Sequence, residues 1–164
     1  MIEGVELYSL KEFKDARGSI KEIFKISWGW IKQADFAQIT HSRVLKNTVK
    51  AWHYHRYQTD WWYLVEGELQ VCLVDFRTGS FGEIVELNLS SLDPKVLKIP
   101  PLVLHGLKVK SKYADLIYLT DKVYSPADEG RFPYNHPEIK VNWGKNIIVS
   151  PNDQKTITVS YTHL

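Results

Sequence analysis

Trp62-Tyr63-Leu64-Val65-Glu66-Gly67-Glu68-Leu69-Gln70-Val71-Cys72-Leu73-Val74-Asp75 is two apolar runs joined by a Glu-Gly turn. Runs this short, rich in β-branched and aromatic residues and split by glycine, read as a β-hairpin. The pattern repeats outward in both directions. Upstream lie Ile20–Ile26, Ile39–Val44 and Val49–His55; downstream lie Ile84–Leu89, Val96–Ile99, His105–Val109, Ala114–Thr120 and Ile139–Val141. Turn residues punctuate them at Asp15-Ala16-Arg17-Gly18, Arg77-Thr78-Gly79-Ser80 and Asp93-Pro94. Helical periodicity is scarce, and only Glu12–Lys14 and Asn152–Lys155 read as single helical turns. Many short, evenly spaced strands predict an all-β sandwich or barrel.

The bulk numbers narrow the class. A chain of 164 residues suits one domain, expected over residues 1–158. The last six residues, VSYTHL, read as a non-native extension after a truncation, in which Tyr161 and His163 carry no meaning. The 21 basic and 19 acidic residues leave a net charge of +2, which supplies no broad positive field for nucleic acid. Local Lys/Arg clamps for a phosphorylated small molecule stay open. Cys72 is the single cysteine, so no internal disulfide forms and a reducing compartment is expected. The N-terminus shows no basic segment followed by an apolar run, and no stretch approaches the ~20 apolar residues of a membrane span. These features predict a cytoplasmic protein with no membrane partner. Aromatics at 13%, six of them Trp, predict an apolar core, an interface or a lined pocket.

Polar chemistry concentrates in Lys50-Ala51-Trp52-His53-Tyr54-His55-Arg56. On a strand His53 and His55 share a face. A further His closes Ile99-Pro100-Pro101-Leu102-Val103-Leu104-His105-Gly106. The two segments, with the Gly67 hairpin between them, resemble the paired motifs of the cupin superfamily, a jelly-roll double-stranded β-barrel. Metal-binding cupins carry His-x-His, an acidic residue and a later His, for which His53, His55, Asp60 and His105 are suitably spaced. Such a set suits a divalent transition metal in an isomerase or an oxygenase.

A second resemblance spans nearly the whole chain. Asp15-Ala16-Arg17-Gly18 with Glu22, Val74-Asp75-Phe76-Arg77 with Gly79-Ser80, and Ile99-Pro100 to His105-Gly106 are similar to motifs of the dTDP-4-dehydrorhamnose 3,5-epimerases. So, in order, are Tyr118, Tyr124-Ser125-Pro126, Glu129, Tyr134-Asn135-His136-Pro137, Val141-Asn142-Trp143 and Ser150-Pro151-Asn152-Asp153. The resemblance implies a nucleotide-sugar epimerase in surface-polysaccharide or deoxysugar biosynthesis. It would invert C3, C5 or both of a dTDP-4-keto-6-deoxyhexose without a cofactor. His53 would be the base, Asp153 its orienting carboxylate and Tyr118 the proton donor. Arg17, Glu22, Lys50, His105 and Glu129 would bind substrate. The family's enolate-stabilising Lys aligns with Tyr63, which offers a hydroxyl and no charge. The family also implies a homodimer whose N-terminal strands reach the partner's site. A non-catalytic sugar-binding cupin is the remaining alternative. Lys50 and His53 differ by three, so both reach one site only through a bulge or a kinked entry to the strand.

Overall fold

A computed structural model of the protein describes residues 2–32 and 36–158. The VSYTHL tail begins at Val159, outside the described residues. The strands are β1 (Glu6–Ser9), β2 (Glu12–Asp15), β3 (Gly18–Lys21), β4 (Gln38–Leu45), β5 (Thr48–His55), β6 (Asp60–Glu66) and β7 (Glu68–Asp75). They continue with β8 (Ile84–Ser90), β9 (Lys95–Ile99), β10 (Val103–Val109), β11 (Tyr113–Thr120), β12 (Glu129–Arg131) and β13 (Ile148–Val149). One sheet runs β1-β9-β6-β11-β4 and the other β12-β5-β10-β7-β8, with β13 added to β5 in parallel. The hairpin β2–β3 stands as its own two-stranded sheet. All other pairings are antiparallel, the arrangement of an all-β jelly roll.

The core lies between the two large sheets. Leu64, Leu97 and Leu116 from one meet Val71, Leu73 and Leu107 from the other, all at most 3% exposed. The outer faces are covered as well. Tyr8, Phe24, Trp30 and Ile31 pack over Trp61, Tyr63 and Leu119 behind the first sheet. Ile139, Trp143 and Phe132 pack over Trp52, Tyr54 and Val74 behind the second. Double coverage explains why β6 and β7 read as continuous apolar runs: a strand buried on both faces has no polar face to alternate with. At ~25 cal/mol per Å² of apolar surface, these three clusters are the main stabilising term.

The register of β5 decides the site. His53 faces His105 on β10, yet Lys50 faces Leu107, so three steps on β5 match two on β10. That extra residue is the required bulge, and it turns Lys50 and His53 to the same side. Between the two registers lies Gly106, where a Cβ would sit 2.7 Å from Ala51 Cβ. The close approach of β5 and β10 therefore needs glycine there.

Several expected elements differ. Ile20–Ile26 is not one strand: pairing stops at Lys21, and Ile26–Trp28 forms a 3-10 turn closed by Gly29 in the left-handed region at φ 80°. Ile23 and Phe24 cover the first sheet rather than join one. Glu12–Lys14 is strand, not helix, because the Asp15–Gly18 turn folds Glu12 back onto Lys21 at 2.8 Å. Ile139–Val141 forms no strand; Ile139 is a buried lid residue over the second sheet. Near Asn152–Lys155 the helical turn forms, over Pro151–Gln154.

Candidate active site

At one end of the sandwich the two sheets part around a cavity of about 210 Å³. The second sheet lends it Lys50, His53, His55 and His105, and the first lends Asp60, Trp62 and Tyr118. Strand alternation and the β5 bulge put these polar groups inward at a point where the apolar core ends.

His53 donates from Nε2 to Asp153 Oδ1 at 2.6 Å. Asp153 arrives from a hundred residues away on the 3-10 turn, whose Ser150 Oγ accepts the Asp153 N–H at 3.2 Å. Pro151 starts that turn, a position that needs no N–H donor. Arg131 Nη1 donates to the same Asp153 oxygen at 3.1 Å, and its Nη2 contacts Glu129. Burial alone would raise the Asp153 carboxyl. The hydrogen bonds from His53 and Ser150 and the charge of Arg131 outweigh it and hold the group below the usual carboxylate range. With Nε2–H engaged, the neutral imidazole keeps its lone pair on Nδ1. Glu129 Oε1 is 4.0 Å from Nδ1, too far to hydrogen-bond to it.

Tyr118 stands on β11, in the facing sheet. Its ring meets Trp62 edge-on at 5.4 Å. Burial, reinforced by the Asp60 charge, pushes its phenol well above the ordinary value, although Ser42 pulls the other way. The hydroxyl therefore keeps its proton at neutral pH. Lys50 Nζ donates to Ser42 Oγ at 3.1 Å. Burial lowers its ammonium, and the Asp153 charge opposes that shift.

His55, Asp60 and His105 form a separate group, with one ligand atom from each lying within 4.8 Å of the others. His105 Nδ1 donates to Val103 O at 3.2 Å. Burial and the two neighbouring imidazoles hold His105 well below its ordinary value, so it is neutral. Asp60 accepts from Gln58 Nε2 at 2.7 Å and Trp62 Nε1 at 3.1 Å. Burial pushes its carboxyl up. The four-ligand metal set expected from spacing is not assembled: His53 is drawn off by Asp153, and three groups remain.

A basic nitrogen and a protonated phenol from opposite sheets, converging on one small cavity, are suited to removing and returning a proton on two faces of one carbon. The sequence model of a family described as dTDP-4-dehydrorhamnose 3,5-epimerase matches residues 1–160. The chain belongs to that family. Among its epimerase relatives, the Escherichia coli dTDP-4-dehydrorhamnose 3,5-epimerase is 31% identical over 170 residues, covering 96% of this chain and 91% of the relative. The Bacillus subtilis spore coat polysaccharide biosynthesis protein SpsL is 33% identical over 148 residues, covering 87% and 97%. The solved RmlC epimerase of Legionella pneumophila, in complex with dTDP-4-keto-L-rhamnose, superposes with a TM-score of 0.84 at 28% identity, covering 93% of this chain and 86% of that one. The fold is accordingly the cupin jelly roll of the epimerase family.

Against the epimerase expectation, His53, Asp153, Tyr118, Lys50, His105 and Glu129 come together at or beside the cavity. Tyr63 does not: it points behind the sheet into the cluster with Ile31 and Val96, and Asp60 and Trp62 take the inward positions. Arg17 and Glu22 also stay outside within one chain. Arg17 hydrogen-bonds Asp15 with its side chain 89% exposed, and Glu22 pairs with Lys25 at 2.7 Å. Arg131 and Gln58 were absent from the sequence expectation. Arg131 had one legible signal, its two-residue offset from Glu129, which puts both on one face of β12.

Proposed function

We propose that the chain inverts C3, C5 or both of a dTDP-4-keto-6-deoxyhexose by proton abstraction beside the C4 ketone. The observation that carries this is the His53–Asp153 hydrogen bond at 2.6 Å facing Tyr118 across the cavity. His53 Nδ1 takes the α-proton, and the C–H electron pair moves into the ring to form an enolate at the C4 oxygen. Asp153 stabilises the imidazolium that results, as the carboxylate does in other His–Asp pairs. Tyr118 returns a proton to the same carbon from the opposite face, and solvent restores both groups. The half-buried Lys50 ammonium lines the cavity and offers a positive charge for the enolate or a phosphate. A cavity of about 210 Å³ is below the ~300 Å³ typical of whole small-molecule sites, which supports seating the sugar ring and leaving the nucleotide at the mouth. These steps call on no metal or cofactor. Residues 1–158 serve as one epimerase domain in this reading, working in the cytoplasm for surface-polysaccharide or deoxysugar synthesis.

Replacing Tyr118 with Phe removes the donor and leaves the base. Product of inverted configuration should fall by about 10²–10³-fold, while α-hydrogen exchange with solvent persists at a measurable rate. NMR of the substrate carbons in heavy water reads both. Unchanged inversion in the Phe variant would remove Tyr118 from the mechanism.

The proposal extends to a homodimer. The β2–β3 hairpin exposes Phe13 (49%) and Ile20 (68%) and carries Arg17 and Glu22 away from their own chain's cavity. A partner's hairpin would bring those two residues to the mouth, where the nucleotide is seated. Light scattering on the eluting protein should give twice the 19.1 kDa chain mass, and a monomer at every concentration would contradict it.

A further inference from the structure

We infer that Arg131 is the positioning residue of the base: it holds a carboxylate on each side of the His53 ring and keeps Glu129 off Nδ1. The catalytic meaning of this role rests on the epimerase reading, while the geometry belongs to the chain itself. β12 runs antiparallel to β5, with Arg131 directly opposite His53 and Glu129 opposite His55. A Cβ on Gly130 would sit 2.1 Å from Tyr54 Cζ, so only glycine lets β12 settle this close to β5. Strand alternation then turns Glu129 and Arg131 away from Tyr54, to the side of His53. The other edge of Arg131 is fixed as well. Its N–H donates to Ile157 O at 2.7 Å and its carbonyl accepts from Ile157 N–H at 2.9 Å, just after the turn that carries Asp153.

The guanidinium works as a fork. Nη1 donates to Asp153 Oδ1 at 3.1 Å, the oxygen that also accepts His53 Nε2–H at 2.6 Å. Nη2 forms an ion pair with Glu129 Oε1. The side chains of Asp153 and Glu129 are 3% and 9% exposed. Carboxylates this buried are costly without a cation, and one arginine serves both.

Glu129 Oε1 stands 4.0 Å from His53 Nδ1. Among the described residues it accepts no well-aligned hydrogen bond, so the ion pair with Arg131 is what holds it. Without Arg131, a small rotation would bring that oxygen onto Nδ1, where it would fix a proton. A ring that gives Nδ1–H to Glu129 has no lone pair there for the α-proton. Arg131 therefore separates two carboxylates that would otherwise compete for one imidazole: Asp153 orients the ring, and Glu129 stays clear of the reacting nitrogen.

The first arm of the test uses no substrate. Proton NMR of the full chain at one fixed pH should show a single hydrogen-bonded His53 ring N–H, assigned by its loss in His53→Ala. Arg131→Met should add a second, from Nδ1 to Glu129, and combining it with Glu129→Leu should remove that signal again. The second arm is kinetic. Arg131→Met should lower kcat by about 10–100-fold, the order found for partners that orient a functional histidine, with KM little changed. In a Glu129→Leu background the same change should cost at least about fivefold less, because only the Asp153 contact is then lost. Arg131→Lys keeps a charge but cannot fork, so its kcat should fall between parent and Met variant. Arg131→Gln is made beside Arg131→Met, and whichever keeps the parent's circular dichroism carries the test. Absence of the second ring N–H, equal kcat losses in both Glu129 backgrounds, or a loss in KM alone overturns the role. If the chain is inactive on this sugar, the NMR arm still decides it, so this inference and the epimerase reading fail separately.

Discussion

Replacing His53 with alanine lowers epimerisation by about 10²–10⁴-fold, the range for removal of a positioned general base. The fold should survive, because the ring sits at the cavity edge with its side chain 21% exposed rather than in the core. Asp153 loses one donor but keeps Arg131 Nη1 at 3.1 Å and the Ser150 cap on its turn. Thermal unfolding should therefore shift little while turnover collapses. Matching losses in both would mean that His53 holds the structure and does not act on the sugar.

Asp153→Asn should cost a comparable factor for a different reason. An amide has no charge to stabilise the imidazolium. Its NH₂ can also donate to Nε2, which favours the tautomer with the proton on Nδ1, the nitrogen that must accept the α-proton. Steady-state rates across pH separate this from simple unfolding, since the loss should appear in kcat with the fold intact. The same variant makes a stability prediction. The native Asp153 carboxyl titrates below the usual carboxylate range, so its contribution is present above its unfolded value of ~3.9 and is lost as pH falls through the folded value. Denaturant titrations should show the parent chain losing stability below about pH 4 more steeply than Asp153→Asn. Parallel acid limbs would contradict the depressed carboxyl.

The sequence carried the fold because burial on both faces writes itself as unbroken apolar runs in β6 and β7, and glycine and proline mark their ends. It was weaker where pairing is set from afar. β1 and β12, four and three residues long, are held by β9 and β5 rather than by their own composition. Ile139 is apolar because it covers a sheet, not because it joins one. In the site, His53 and Asp153 could be matched by family order although 100 residues separate them. Tyr63 could not be placed by counting from His53. The connection at residues 56–59 obeys no strand period, and the face of Tyr63 is set by β6 pairing with β9 and β11. The grouping of His55, Asp60 and His105 without His53 depends on a single hydrogen bond that spacing does not encode.

The most direct measurement is hydrogen exchange on the sugar. The metal-stripped protein is incubated with dTDP-4-keto-6-deoxyglucose in heavy water, and C3 and C5 are followed by NMR beside a His53→Ala control. The account predicts deuterium at C3, C5 or both with the parent protein and none above background with the control. Exchange that continues undiminished without His53, or a parent protein that binds this substrate and labels neither carbon, would contradict it.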